Sequence, residues 1–137
     1  MAEGFAISRS LANLTLEELE EDMLAFVRAH NSVTFAALQS RYGRRGHGDS
    51  DLVLPKYPNI VLWCGLSEDL ATAITSLCMS GQLHWHEVFP VRYWPQPLIL
   101  PLAHWPITEE YNKPHWLPIE FLPGPSCDDV FCPNRTH

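Results

Sequence analysis

Four groups of side chains in the 137-residue chain have types and spacings that suit chemistry or recognition. His84 and His86 stand two apart in "QLHWHEV", where strand alternation turns both rings to one side, as two imidazoles must be to share a metal ion. Cys127 and Cys132 would supply thiolates, but their Cys-x4-Cys spacing is not that of a usual zinc knuckle and they stand near the chain end. No metal site and no cofactor are therefore expected, and the two histidines are read as an exposed strand face. Arg41, Arg44 and Arg45, with His47 close by, form the sole basic cluster and are the candidate nucleic-acid contacts. Asp49 and Asp51 follow at once, and three guanidiniums release few counterions, so a solvated loop is the favoured reading.

The fourth group is Arg92, Tyr93 and Trp94 in "FPVRYWP", residue types that dominate binding hot spots because they bury large rigid areas while keeping polar contacts. Alternation along a strand places Arg92 and Trp94 on one face and Tyr93 on the other. Tyr93 is expected in the core, and Arg92 with Trp94 is the expected protein-binding pair. No glycine-rich phosphate loop, nucleophile elbow or paired histidine–glutamate metal motif occurs, so no catalytic residues are assigned and a non-enzyme is expected.

Composition narrows the classes further. Sixteen acidic against nine basic side chains give a formal charge of −7, which repels a phosphate backbone unless the arginines gather on one face. The apolar share of 46% with 18% charged residues is that of a packed protein. No apolar run approaches the roughly 20 residues that span a bilayer, and "MAEGFAISRS" lacks a secretory layout. No membrane partner is expected, and a cytoplasmic location with reduced cysteines is.

These groups need elements to position them. "LTLEELEEDMLAFVRAH" opens with Thr15 and Glu18 at capping-box spacing, and Leu19, Met23, Phe26 and Val27 recur at helical spacing behind them. A second, short helix starts at Thr34 and stops at Gly43. After the polar "RRGHGDSD", the runs Leu52 to Leu54 and Ile60 to Trp63 flank a proline-bounded turn, as a small hairpin or extended insert would. Ser67 caps a third helix carrying Leu70, Ala73, Ile74 and Leu77, which Gly81 ends. "QLHWHEV" and "VRYW" then alternate as a two-stranded wing.

From Pro95 onward recurrent prolines forbid regular helix. The many large apolar groups among them, such as Trp105, Trp116 and Phe121, call for an extended arm packed on the domain. The expected organisation is a domain over residues 1–95, a proline- and aromatic-rich arm over 96–126 packed on the same domain, and a flexible tail over 127–137.

The order of three helices and a wing, with a helix ending "SLCMSGQLHWHE", resembles the winged-helix branch of the helix-turn-helix proteins over about residues 14–95. Residues 44–66 depart from that pattern, standing where the family has a short turn. The resemblance implies an α+β class: a three-helix winged-helix-like domain with a two-stranded wing and an extended proline-rich C-terminal arm. It would turn Glu68, Asp69, Thr72, Thr75, Ser76 and Met79 of the third helix outward. That face carries none of the Arg, Lys, Asn or Gln groups that read bases and hold phosphates. The expected function is therefore a non-enzymatic protein-binding regulatory module, associated by fold analogy with a transcription or other nucleic-acid machine. A sequence-specific winged-helix DNA-binding regulator is the alternative, and DNA is the disfavoured partner.

Overall fold

Thr15 and Glu18 exchange hydrogen bonds at the start of the first helix, the Glu18 N–H donating to Thr15 Oγ1 and the Thr15 N–H to Glu18 Oε1. The computed structural model describes residues 13–125. Cys127, Cys132 and the tail expected over 127–137 lie outside them.

Helix α1 (Leu16–His30) ends at Asn31, whose left-handed backbone lets its N–H reach the Val27 carbonyl. A two-residue strand, β1 (Val33–Thr34), follows; Thr34 then caps α2 (Phe35–Tyr42) by accepting from the Ala37 N–H, and Gly43 stops it at φ +56°. The insert over 44–66 is a tight 3-10 turn at Gly43–Gly46 and an antiparallel hairpin, β2 (His47–Leu54) and β3 (Tyr57–Leu66), turning at Pro55 and Lys56. Ser67 accepts from the Leu70 N–H and starts α3 (Glu68–Met79).

After α3 come β4 (Leu83–Glu87), β5 (His115–Trp116) and β6 (Ile119–Pro123). Two small sheets result: β1-β6-β4, antiparallel throughout, and β2-β3-β5, in which β5 runs parallel to β3. The described residues are thus mixed α+β, with three α-helices and two three-stranded sheets.

The segment 91–94 does not form the second strand of a wing. Pro90 opens a 3-10 turn over Pro90–Tyr93, and Pro95 bars continuation, so these residues cannot offer a regular ladder to β4. The partner of β4 is β6, in register from Leu83↔Pro123 to Glu87↔Ile119. A proline at position 123 is tolerated because it ends the strand. Residues after 95 therefore supply the middle strand of one sheet and part of the core itself: Trp116, Leu117, Ile119 and Phe121 are all buried.

The centre of the molecule is aromatic. Trp63 stacks nearly parallel to Phe35 and lies 4.8 Å from the ring centre of Tyr93, which meets Trp116 edge-on at 5.3 Å. Aliphatic side chains of α1 (Leu19, Met23, Val27) and α3 (Leu70, Ile74, Leu77) close it. Buried Gln39 is satisfied on both ends of its amide: Nε2 donates to the carbonyls of Gly46 and Gly65, and Oε1 accepts from Trp63 Nε1. One side chain thereby fixes the inserted hairpin to α2. Gly48 lets the hairpin approach the start of α3, because a Cβ there would lie 2.8 Å from Ser67 Cα.

Candidate protein-binding site

The turn after β4 is held to the fold by the polar side chains of Arg92 and Tyr93, and it leaves Phe89, Val91 and Trp94 in water. Tyr93 is 2% exposed. Its hydroxyl donates to the Ile119 carbonyl and accepts from the Phe35 N–H, 3.2 Å away. The latter is a first-turn N–H of α2, which has no partner within the helix. Burial pushes the Tyr93 phenol well above its ordinary range. Arg92 is half-exposed and reaches across to Glu120 Oε1 at 2.8 Å and Ser32 Oγ at 3.0 Å, tying the turn to β6 and to the α1–β1 connection.

Around these anchors the apolar side chains point outward. Phe89 is 81% exposed, Trp94 74% and Ile99 98%, with Val91 and Leu102 also open to solvent. Beside them is a concavity of about 640 Å³ whose lining includes Phe89, Arg92, Leu102, His104, Glu87 and Glu120. Exposed apolar side chains and a pocket therefore lie on the same segment, between β4 and β5.

Of the expected binding pair, Trp94 points to solvent and Arg92 forms part of the pocket wall. They project from a proline-bounded turn, with Tyr93 between them turned inward. Sequence reasoning did not single out Phe89, Ile99, Leu102, Glu87 or Glu120. The available signal was in "VFPVRYWPQP", where closely spaced prolines around large apolar residues keep the backbone out of a sheet and leave side chains without a covering strand.

The basic cluster is dispersed. Arg41 Nε and Nη2 donate to the two carboxylate oxygens of Asp22 at 2.8 and 2.9 Å, and the guanidinium lies 4.6 Å from the Phe26 ring centre. The Tyr42 hydroxyl adds a third donor to Asp22 at 2.6 Å. The Arg41 hydrogen bond holds the Asp22 carboxyl below its usual range, against burial, while burial and then Asp22 push the Tyr42 phenol up. Arg41 thus clamps α1 to α2. Arg45 pairs with Asp69 at 3.0 Å at the start of α3. Of the three arginines, only Arg44 is both exposed and without an ion-pair partner among the described residues. On α3, Glu68, Asp69, Thr72, Thr75 and Met79 face outward, whereas Ser76 is half-buried and donates to Glu20.

His84 and His86 do share one side of β4, their ring centres 4.9 Å apart, but His84 is buried, contrary to an exposed strand face. Its Nδ1 donates to the Gly124 carbonyl. No group of three His, Cys, Asp or Glu side chains among the described residues is placed to hold a metal ion. A second concavity, about 260 Å³ between β2 and α3, is lined by Leu52, Val53, Ile74, Cys78 and Met79 among others, and offers no carboxylate, imidazole or cation. No described helix is long and apolar enough to cross a membrane.

Compared with protein-family models, with curated proteins and with solved structures, the chain gave no match.

Proposed function

We propose that the chain is a non-enzymatic, winged-helix-like protein-binding module, and that it regulates a partner through the surface formed by residues 88–104. One observation carries this reading: Phe89, Val91, Trp94, Ile99 and Leu102 are exposed together on a loop that Tyr93 and Arg92 fasten at two points. Large apolar groups left in water on an anchored loop suit recognition, because little ordering cost remains to be met on binding.

The winged-helix likeness is supported by the chain order of three helices with a short strand between the first two, and by the β1-β6-β4 sheet beside them. A transcription or other nucleic-acid machine as the setting rests on that likeness alone. Reading of DNA by this domain is disfavoured by the ion pairs that occupy Arg41 and Arg45 and by the acidic start of α3.

The test is site-directed photo-crosslinking in the cells that make the protein, with the crosslinker at position 94 and, as a control, at exposed position 25 on α1. The expected result is a discrete adduct with one other protein from position 94 only, lost when Phe89→Ser is introduced. Identical adduct patterns from both positions would refute the reading.

A further inference from the structure

We propose that the pocket beside Arg92 receives an arginine side chain, presented by the partner within an apolar segment. This inference rests on the protein-binding reading above and names the chemistry of the ligand.

The polar groups of the pocket decide its sign. Glu87 and Glu120 both line it, against a single guanidinium, Arg92, with Ser32 and the His104 imidazole as the other polar side chains. That guanidinium is already committed to Glu120 and Ser32. The exposed Glu87 carboxylate has no hydrogen-bond or ion-pair partner among the described residues. An incoming carboxylate would meet an excess of negative charge, whereas an incoming cation finds an open acceptor. The chain's formal charge of −7 acts in the same direction at long range, steering basic partners toward the molecule.

The apolar part of the lining selects among cations. Phe89 and Leu102 belong to the pocket and are themselves exposed, and Trp94 stands outside it. A long basic side chain can lay its methylene stem along such groups while its charged head goes to the carboxylate. Arginine suits this better than lysine, because a planar guanidinium can pair bidentately with one carboxylate and stack on an aromatic face, and it sheds water more readily than an ammonium. Apolar residues flanking that arginine would cover Val91, Trp94 and Ile99, which no element among the described residues covers.

The experiment titrates the isotopically labelled full chain with two end-blocked peptides, Gly-Leu-Arg-Leu-Gly and Gly-Leu-Glu-Leu-Gly, and follows backbone amide shifts by NMR. The arginine peptide is expected to move Glu87, Phe89 and Ala103 saturably, with about tenfold tighter binding than the glutamate peptide. Glu87→Gln should remove most of that preference while leaving the rest of the spectrum unchanged. Equal binding of both peptides at these residues would overturn the arginine inference and leave the surface as a protein-binding site. Preference for the glutamate peptide would overturn it and make Arg92 the receptor. If neither peptide moves these residues, the arginine inference fails, while the broader reading is judged separately by the crosslink at position 94.

Discussion

Replacing Tyr93 by Phe removes one oxygen atom from the centre of the molecule. In the wild type that oxygen accepts from the Phe35 N–H and donates to the Ile119 carbonyl, and both of those residues are wholly buried. The substitution keeps the ring and its contacts with Trp63 and Trp116, so lost packing is a minor cost. What changes is that a buried donor and a buried acceptor lose this partner together. Each such orphan costs about 1–3 kcal/mol, and the two share one hydroxyl, so a loss of about 2–4 kcal/mol is expected. That is a large part of the stability of a typical domain, about 5–15 kcal/mol.

Urea unfolding followed by fluorescence measures the loss directly, with an unchanged slope as the sign that only stability has moved. Tyr57→Phe is the control, because the Tyr57 hydroxyl has no hydrogen-bond partner among the described residues; it should cost less than about 0.5 kcal/mol. The alkaline side supplies a second readout. Because burial raises the folded-state pKa of Tyr93, its neutral form stabilises the fold fully below the ordinary tyrosine value, about 10. That stabilisation is lost as pH rises through the higher folded value. Tyr93→Phe should remove this part of the alkaline destabilisation. A variant within 0.5 kcal/mol of wild type, by the scale of about 1 kcal/mol for a single net hydrogen bond, would refute the bridging role.

Cutting the chain after Pro95 removes β5 and β6, including the buried Trp116, Leu117, Ile119 and Phe121, and should abolish cooperative thermal unfolding; calorimetry showing an unchanged transition would refute this. Asp22→Asn should cost about 1–2 kcal/mol by urea unfolding, a value held down by the partial exposure of the Asp22–Arg41 pair. The Arg41 hydrogen bond lowers the Asp22 pKa, so this stabilisation is present above about pH 4 and is lost as pH falls through the lower folded value. Wild type should therefore lose stability over that acid window and the asparagine variant should lose less of it. Fluorescence anisotropy with mixed duplexes should show weak DNA binding that vanishes near about 0.15 M salt, and tight, salt-tolerant binding to one sequence would contradict the assignment of the arginines.

The helices were legible in the sequence because their ends are written in short-range chemistry. Thr15 with Glu18, Thr34 before Phe35, Gly43 and Ser67 each act within a few residues of themselves, and each occupies the cap or stop its type implies. The inserted hairpin was legible only in part: the runs 52–54 and 60–63 and the turn at Pro55 allowed a hairpin or an extended insert, whereas β2 begins at His47, inside the stretch that reads as a polar loop. The partner of β4 was not legible. "VRYW" alternates and lies close by, but Pro90 and Pro95 forbid a ladder there, and the matching strand stands beyond position 118, where periodicity alone assigns no partner. For the site, the residue types of Arg92 and Trp94 carried a signal, while the pocket that Glu87, Leu102 and Glu120 complete depends on the return of the chain. The dispersal of Arg41 and Arg45 likewise depends on Asp22 and Asp69, which are distant in sequence and adjacent in space.

The placement of β6 between β1 and β4 has a consequence for synthesis of the chain. Val33 faces Phe121 across the sheet, so this strand pair closes only after the chain has been made as far as position 121. Closing a loop of that length carries an entropy cost of about 4 kcal/mol by the (3/2)RT ln n scaling, before any contact offsets it. Until residues 119–123 leave the ribosome, β1 and β4 have no strand between them, and the apolar faces of α1 and α3 lack the side chains that complete their core. The helices and the hairpin can form early from local contacts, but the sheet that joins β1 to β6 forms last. A pause in translation before position 119 would hold the protein with its core open, and a chaperone acting on it would meet this intermediate.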